Sequence, residues 1–330
     1  MKQRLDINEY LKGISGCDRV VLAKALTLIE SNLETDRHKA QKLLQKIKPG
    51  NNTIRIGITG APGVGKSSFI EAFGNYLIKQ KKKVAVLTID PSSQVSKGSI
   101  LGDKTRMENL SKSNNAFIRP SPSAGALGGT ALRTRESIVL CEAAGFDVIL
   151  IETVGVGQSE ISVQGMVDFF LLLMLAGAGD SLQGIKRGIM ETADALIITK
   201  ADGDNKRKAA EAQAEYQHAL HLFRTAESGW EPPVLMCSAK ENTGVEKIWM
   251  MIQSYRDKTT KNGYWEVNRQ RQLVTWLHEY IDNRLKQEVQ KLPGISKLIA
   301  TLEKAVLEKK QLPVIAGEKV ISEFKQLLLR

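Results

Sequence analysis

Small residues, one lysine and two serines follow each other between positions 60 and 68 in an order that suits phosphate binding. The run fits the pattern G-x-x-x-x-G-K-[ST] and reads Gly60, Ala61, Pro62, Gly63, Val64, Gly65, Lys66, Ser67 and Ser68. Its glycines allow backbone angles that a side chain would forbid, so successive N–H groups can point at one anion. We expect Lys66 to reach the β- and γ-phosphates of a nucleotide and the Ser67 hydroxyl to ligate Mg²⁺.

A second motif, at positions 199 to 202, follows an apolar run and is close to the N-K-x-D signature of guanine recognition. The Asp202 carboxylate can accept hydrogen bonds from N1–H and the 2-amino group of guanine, which adenine does not offer. The stem of Lys200 can lie over the purine. Thr199 replaces asparagine and so loses an amide that braces the phosphate loop, which predicts retained guanine choice with lower affinity. A helix-capping acid is the alternative interpretation of Asp202.

The third motif follows the short apolar segment 233–236 and consists of Cys237, Ser238, Ala239 and Lys240. It is similar to the S-A-K loop whose backbone N–H groups contact O6 of guanine. A Ser-Ala-Lys run is too common among protein sequences to identify this loop by itself. Their place after the other two motifs, in the expected order, favours a guanine nucleotide site.

Three acidic residues near expected strand ends are candidates for holding Mg²⁺ or positioning water. Glu152 ends the apolar run 147–151, where most GTPases have aspartate, and the N–H of the nearby Gly155 could sense a γ-phosphate. Asp90 and Asp103 belong to the segment after the second predicted strand, where a mobile switch loop is expected. An ordinary strand-to-loop role stays open for Glu152, and a helix-cap or turn role for the two aspartates.

Composition limits the function further. The 330-residue chain is 42% hydrophobic and 25% charged with a formal net charge of +11, which indicates a folded protein that attracts anions. No basic and aromatic pattern typical of RNA-binding modules is visible, so we expect no nucleic acid partner. The longest apolar stretch, 169–179, is too short to cross a bilayer, and the N-terminus lacks the apolar core of a secretion signal. A cytoplasmic protein without membrane contact is expected, and its three separated cysteines predict reduced thiols without structural zinc.

Short β-rich runs alternate with helical stretches from about residue 53 to about residue 255. This alternation predicts a three-layer α/β fold of the P-loop type with a mostly parallel sheet. Several runs are apolar at consecutive positions, as is typical of strands covered by helices on both faces. The predicted strands are Ile54–Thr59, Val84–Ile89, Ala116–Ile118, Asp147–Ile151, Phe169–Met174, Ala195–Thr199 and Pro233–Met236.

Helical regions flank the alternating pattern on both sides. Residues 1–50 are expected to form an N-terminal helical extension, residues 51–258 the nucleotide-hydrolysing domain, and residues 259–330 a C-terminal helical arm. Such an arm either packs back on the domain or meets a second subunit. Its apolar ladder has a four-residue spacing and consists of Leu273, Leu277, Ile281, Leu285 and Val289.

With these motifs in place, the sequence resembles the MeaB/ArgK family, the GTPases that accompany methylmalonyl-CoA mutase. The resemblance covers nearly the whole chain and is far more specific than a phosphate-loop motif. Beyond that loop it rests on the runs DPSS, GSILGDKTRM, FIRP, ETVGVGQSE, LQGIK, TKADGDN and CSA, which begin at residues 90, 98, 117, 152, 182, 199 and 237.

The resemblance implies the SIMIBI branch of P-loop proteins, slow hydrolysis of GTP to GDP, and a homodimer formed through the C-terminal arm. It implies an adenosylcobalamin-dependent acyl-CoA mutase as partner, with GTP binding and hydrolysis gating cofactor loading and protecting the mutase. Carried over by position, Asp90, Asp103 and Glu152 belong to the metal and catalytic cluster. Gln183 and Lys186 would lie on a third switch loop, whose lysine becomes catalytic when the partner docks. The chain has no D-x-H-x-x-G cobalamin motif, so it is not expected to bind that cofactor itself.

Three other functions compete with this interpretation. A kinase is one of them, because relatives have been named as transport-linked kinases. A metal-insertion GTPase of the same branch would need a histidine-rich or paired-cysteine site, which the sequence lacks. A nucleic-acid ATPase is suggested by the net charge alone and would bind DNA with a steep salt dependence.

Overall fold

The structure of the chain is a computed structural model. Its residues group into two compact units, 1–273 and 274–330. The domain limits expected from the sequence stay predictions. The structure describes residues 4–50, 52–90, 107–122, 127–153, 159–177, 183–220 and 226–328.

The described residues of the first unit form one sheet of seven strands, and the order across the sheet is β3-β2-β4-β1-β5-β6-β7. Every neighbouring pair is parallel, which confirms the predicted α/β class. Each strand corresponds to one of the seven apolar runs predicted from the sequence. In chain order the strands are β1 (Ile54–Gly60), β2 (Val84–Asp90), β3 (Ala116–Pro122), β4 (Val148–Thr153), β5 (Phe169–Leu175), β6 (Ala195–Thr199) and β7 (Val234–Met236).

Helices connect the strands and precede and follow the sheet. Within the described residues they are α1 (Ile7–Ser15), α2 (Arg19–Ile29), α3 (Glu34–Lys46), α4 (Lys66–Lys79), α5 (Glu108–Lys112), α6 (Leu127–Ala143), α7 (Ser159–Gln164), α8 (Gln183–Thr192), α9 (Lys206–Leu220), α10 (Val245–Lys261), α11 (Tyr264–Lys291), α12 (Ile295–Leu307) and α13 (Pro313–Leu328).

The sheet separates two hydrophobic cores. Alternate residues of a strand point to opposite faces, so Ile149 and Ile151 of β4 enter one core while Val148 and Leu150 enter the other. The first core includes residues of α1–α3, α6 and α9, and the second includes residues of α4 and α10. Burial on both faces explains why several of the strands appear in the sequence as continuous apolar runs.

The N-terminal helices belong to the same unit as the sheet. Leu26 of α2 and Leu43 of α3 have no exposed surface and lie in the core shared with β4. Polar contacts reinforce this packing, since Arg119 of β3 forms an ion pair with the Glu30 carboxylate. Arg133 of α6 donates to the main-chain carbonyl of Glu30 at 2.6 Å. The extension therefore folds onto the sheet and buries one of its faces.

A parallel sheet brings the carboxyl ends of its strands to one edge, which is where ligands bind in open α/β folds. β1 ends at Gly60 and continues through the glycine-rich loop into α4. The neighbouring β4 places Glu152 beside Ile58 of β1. β6 ends at Thr199, two strands away from β1. Motifs that are more than a hundred residues apart in the sequence therefore meet at one edge of the sheet.

Three helices joined by short turns make up the described part of the C-terminal region after Gly263. α11 begins in the first unit at Tyr264 and ends in the second unit at Lys291. Within the second unit α12 and α13 pack against each other. Three apolar side chains of α11 in this unit, Leu277, Ile281 and Leu285, are 56%, 42% and 57% exposed. Among the described residues, no helix is long and apolar enough to span a membrane.

Candidate nucleotide-binding site

The phosphate loop joins β1 to α4 through backbone conformations that favour glycine. Gly63 and Gly65 have φ angles of 77° and 95°, in the left-handed region that side chains rarely adopt. At Gly60 space is the constraint, because an added Cβ would lie 2.5 Å from the Leu173 carbonyl oxygen. The helix that begins at Lys66 contributes the positive end of its dipole. The loop therefore has the geometry of a phosphate cradle.

The Lys66 ammonium lies against the main chain of this loop. It donates to the carbonyl oxygen of Gly60 at 2.7 Å and to that of Ala61 at 3.3 Å. The Lys66 residue is only 9% exposed. A positive charge is therefore fixed beside the N–H groups that the motif predicts to hold phosphate, although its contact with a nucleotide stays a prediction.

A hydroxyl and a carboxylate meet beside the loop. Ser67 donates from Oγ to Oε1 of Glu152 at 3.2 Å, and Glu152 is only 4% exposed. The next residue, Thr153, donates from its hydroxyl to Thr59 at 2.9 Å and fixes the end of β4 against β1. The two predicted metal ligands Ser67 and Glu152 are thus brought together by the pairing of neighbouring strands.

These oxygens fit Mg²⁺, which takes hard oxygen ligands and commonly uses one or two carboxylates together with substrate phosphates. Among the described residues, no group of three or more His, Cys, Asp or Glu side chains could hold a metal ion by itself. Asp90 is the last residue of β2, the strand beside β4, but its side chain is not described. Asp103 lies outside the described residues, so both roles stay predictions.

A cavity of about 230 Å³ opens beside the phosphate loop. Residues of all three sequence motifs line it, so the loop that should bind phosphate and the segments that should bind guanine share one space. The lining residues are Val64, Gly65, Ser68, Phe69, Thr199, Lys200, Asp202, Cys237, Ala239 and Lys240.

The Asp202 carboxylate is held by the third motif. Ser238 donates from its hydroxyl to Oδ2 of Asp202 at 2.5 Å and accepts the N–H of Glu241 at 3.0 Å. Ser238 and Thr243 exchange two backbone hydrogen bonds at 3.0 and 3.1 Å, which close the loop between them. Gly244 ends this loop with a φ of 80°, and a Cβ there would lie 2.1 Å from the Met236 carbonyl oxygen. The loop therefore fixes one carboxylate oxygen of Asp202.

Thr199 contacts the phosphate loop directly. Its hydroxyl lies 2.6 Å from the Val64 carbonyl oxygen and 3.1 Å from that of Met174 in β5. The loss of a brace that the sequence predicted at this position is therefore not observed, because a hydroxyl takes the place of the amide. A threonine hydroxyl is a hydrogen-bond donor, so the sequence itself contains a group that can replace the amide.

Lys200 adopts a left-handed backbone conformation with a φ of 55°. Asn205 supports this conformation, because its side-chain amide donates to the Lys200 carbonyl at 2.7 Å. The Lys200 stem follows the phosphate loop, and its Cε lies 3.8 Å from the point that a Cβ on Gly65 would occupy. Sequence reasoning missed Asn205 and the hydroxyl role of Ser238, since both depend on how the loops fold back on Asp202 and Lys200.

Three further predicted residues lie in the loop that follows β7 and in α8, and the side chains of the two in α8 are not described. Cys237 is buried, and desolvation raises the pKa of its thiol to about 12, so the thiol is neutral at physiological pH. Gln183 and Lys186 belong to the first turn of α8, while their side chains lie outside the described residues. Their predicted place on a switch loop therefore stays a prediction.

The parallel sheet, the glycine loop between β1 and α4, and the acid at the end of β4 define a P-loop nucleoside triphosphatase. Residues 22–293 match the family described as methylmalonyl Co-A mutase-associated GTPase MeaB. The chain belongs to this family and is a GTPase.

Similar proteins agree with this assignment. The chain is 49% identical over 278 residues to the GTPase ArgK of Escherichia coli K12, which covers 84% of each protein. It is 42% identical to the mouse protein named methylmalonic aciduria type A homolog, mitochondrial, over 98% of this chain and 81% of the relative. The crystal structure of a LAO/AO transport system kinase superposes with a TM-score of 0.75 at 38% identity and covers 97% of both chains.

Proposed function

We propose that this GTPase assists an adenosylcobalamin-dependent acyl-CoA mutase of the methylmalonyl-CoA type, gates the loading of its cofactor and protects it from inactivation. The observation that carries this proposal is the match to a mutase-associated GTPase family over residues 22–293. The name of the mouse relative also refers to methylmalonic acid, which supports a mutase of the methylmalonyl-CoA type as the partner. The cytoplasmic location expected from the sequence is part of the proposal.

In the proposed site GTP spans the cavity and the phosphate loop. The N–H groups of residues 60–68 and the Lys66 ammonium bind the phosphates, and Asp202 reads the guanine edge. Lys200 lies along the purine, and the backbone at Ser238 and Ala239 meets the guanine oxygen. Phosphoryl transfer to water needs little covalent help from a protein, so these residues act by orienting the substrate and by offsetting its negative charge.

Ser67 and Glu152 are the proposed residues for Mg²⁺, with Asp90 and Asp103 as further candidates. A bound Mg²⁺ would supply positive charge beside the phosphate oxygens of GTP. The support is the 3.2 Å contact between the Ser67 hydroxyl and the buried Glu152 carboxylate, which are both hard oxygen ligands. Gln183 and Lys186, at the start of α8, are proposed to act when the mutase docks.

A homodimer is part of the proposed assembly. Leu277, Ile281 and Leu285 lie four residues apart on α11, so they share one helix face, and each is at least 42% exposed. An exposed apolar stripe of this length is typical of a surface that meets another protein. We propose that a second copy of the chain covers it.

A reconstituted mutase assay tests the proposal. The mutase subunit, adenosylcobalamin and the GTPase are incubated with GTP, GDP or no nucleotide, and cofactor loading and the decay of mutase activity are followed. Cofactor loading should depend on the nucleotide, and mutase activity should last longer with the GTPase present. The Lys66→Ala variant should release no phosphate and give no nucleotide-dependent loading. The proposal would be contradicted if cofactor loading did not depend on the nucleotide and proceeded at the same rate with the parent and with the Lys66→Ala variant.

A kinase remains the second candidate, because the similar crystal structure with a TM-score of 0.75 is named a transport system kinase. Incubation with GTP labelled at the γ-phosphate separates the two functions. Label that appears only as free phosphate supports the switch GTPase. Stable label on a protein or a small molecule would favour the kinase.

A further inference from the structure

We infer that the Thr199 hydroxyl is a positioning group that aims the Gly65 N–H into the phosphate cradle and so links the base-binding segment to phosphate affinity. This inference rests on the proposed nucleotide site. It begins with the 2.6 Å contact between the Thr199 hydroxyl and the Val64 carbonyl, both of which are buried. Met174 offers a second acceptor at 3.1 Å, but one hydroxyl hydrogen favours the shorter contact.

The geometry of a peptide bond carries the effect to Gly65. The chain has no cis peptide bond among its described residues, so the Val64 carbonyl and the Gly65 N–H point in opposite directions from one rigid plane. A hydrogen bond that holds the carbonyl toward Thr199 therefore turns the N–H away from it, toward the inside of the loop. Gly65, with a φ of 95°, could rotate this plane easily if nothing held it.

The same short segment also holds the groups proposed to bind the base. Ala201 donates its N–H to the Cys237 carbonyl at 3.1 Å, and Asp202 accepts the Ser238 hydroxyl. Thr199 belongs to the end of β6, where its branched side chain has few allowed rotamers. Its hydroxyl is thus a fixed point from which both the guanine-reading residues and the phosphate loop are placed.

Thr199→Val tests this role, because valine has the same shape but no hydroxyl. Calorimetric titration of the full chain in Mg²⁺ should show GDP binding about tenfold weaker, which corresponds to about 1.4 kcal/mol. The ratio of GDP to ADP affinity should change less than twofold, since Asp202 is untouched. In turnover with GTP, KM should rise more than kcat falls. Thr199→Ser keeps the donor and should bind GDP within about threefold of the parent.

Thr259→Val is the matched control. Thr259 is fully buried in α10, and its hydroxyl donates to the Tyr255 carbonyl at 2.7 Å, so this variant also loses a buried hydrogen bond. It should lower the melting temperature without changing the affinity for GDP. If Thr199→Val does not fold, Thr199→Ala is titrated in its place with the same expected loss.

Three results would overturn the inference. They are unchanged GDP affinity in Thr199→Val, a loss in Thr199→Ser as large as in Thr199→Val, and a collapse of the preference for GDP over ADP. The second would assign the effect to methyl packing, and the third to direct base recognition. A parent chain that binds no guanine nucleotide would instead refute the proposed nucleotide site.

Discussion

Asp202 and its partner Ser238 form the part of the site that we propose to select guanine. The Ser238 hydroxyl holds Oδ2 at 2.5 Å, which fixes the rotation of the carboxylate before any ligand arrives. A carboxylate oriented in this way accepts two N–H donors of guanine at once. Adenine offers no such pair, so bound adenine would leave the oxygens without donors.

Asp202→Asn should weaken GDP binding by about 10- to 100-fold. The asparagine side chain replaces one acceptor oxygen by an NH₂ group, so a hydrogen-bond donor would face the 2-amino group of guanine, which is also a donor. The same amide can donate to the 2-carbonyl of xanthine, so binding of XDP should improve. Competition calorimetry with GDP, XDP and ADP measures the three affinities on one protein. Equal losses for all three nucleotides would show that Asp202 supports the loop rather than reads the base.

The burial of Asp194, just before β6, links one residue to the pH dependence of stability. Its carboxylate accepts the Phe170 N–H at 2.8 Å, but burial dominates and raises the pKa to about 7, well above the usual value near 3.9 in unfolded chains. The native state therefore holds this proton more tightly than the unfolded state does. The resulting stabilisation is present at low pH and is lost as pH rises from about 4 to about 7.

Asp194→Asn keeps an acceptor oxygen for the Phe170 N–H but cannot ionise. Its free energy of unfolding, relative to the parent, should increase between pH 4.5 and pH 8 by on the order of 1–3 kcal/mol. Urea unfolding at both pH values gives this difference. Burial also raises the pKa of Glu136 to about 7, so only the difference between variant and parent isolates Asp194. A difference that stays constant with pH would contradict the assignment, and the exposed Asp282→Asn serves as control.

At the scale of elements, the loop between β7 and α10 carries Ser238 and Ala239, which are proposed to meet the base, at the edge of the sheet. The loop closes through Gly244, which has a φ of 80°. Gly244 lies so close to the Met236 carbonyl oxygen that an added Cβ would clash with it. Gly263, between α10 and α11, has nearly the same φ of 81°, but a Cβ added there would meet no atom within 4 Å. The two glycines therefore separate the cost of backbone conformation from the cost of a clash.

Gly263→Ala should lower the free energy of unfolding by about 1 kcal/mol, which is the cost of a left-handed alanine. Gly244→Ala should cost at least about 2 kcal/mol more, because the Met236 carbonyl must also move. Urea unfolding compares the two. Only Gly244→Ala should weaken GDP binding, since displacement of its loop moves Ser238 away from Asp202. Equal losses of stability in both variants would show that the loop yields without strain.

At the scale of the whole molecule, the exposed stripe on α11 predicts the oligomeric state. Ile281→Glu places a charge in the middle of the stripe, and a charge without a partner is costly in an apolar interface. The parent should sediment as a dimer at micromolar concentration and Ile281→Glu as a monomer. Val314→Glu is the matched control, because Val314 is 74% exposed on α13 of the same unit and lies outside the stripe. A monomeric parent, or equal dissociation of both variants, would refute the proposed dimer.

The sequence by itself determined the class of the molecule and its phosphate loop. Short β-rich runs predicted the seven described strands, and several of these runs are apolar at consecutive positions because strands covered on both faces need no polar positions. The spacing of the motif alone identified the glycines at 60, 63 and 65 as positions where the backbone needs angles that a side chain would forbid. Similarly, the long runs shared with the MeaB/ArgK family pointed to the family that residues 22–293 match.

Only the tertiary structure decided how distant residues meet. The strand order, with β4 between β2 and β1, brings Glu152 to Ser67, and no local pattern encodes that order. Threonine in place of asparagine at position 199 predicts the loss of an amide brace, yet the Thr199 hydroxyl contacts the Val64 carbonyl 135 positions earlier in the chain. Hydrogen bonds of this kind depend on strand register and loop closure, which arise from packing across the whole sheet and not from the residues nearby in sequence.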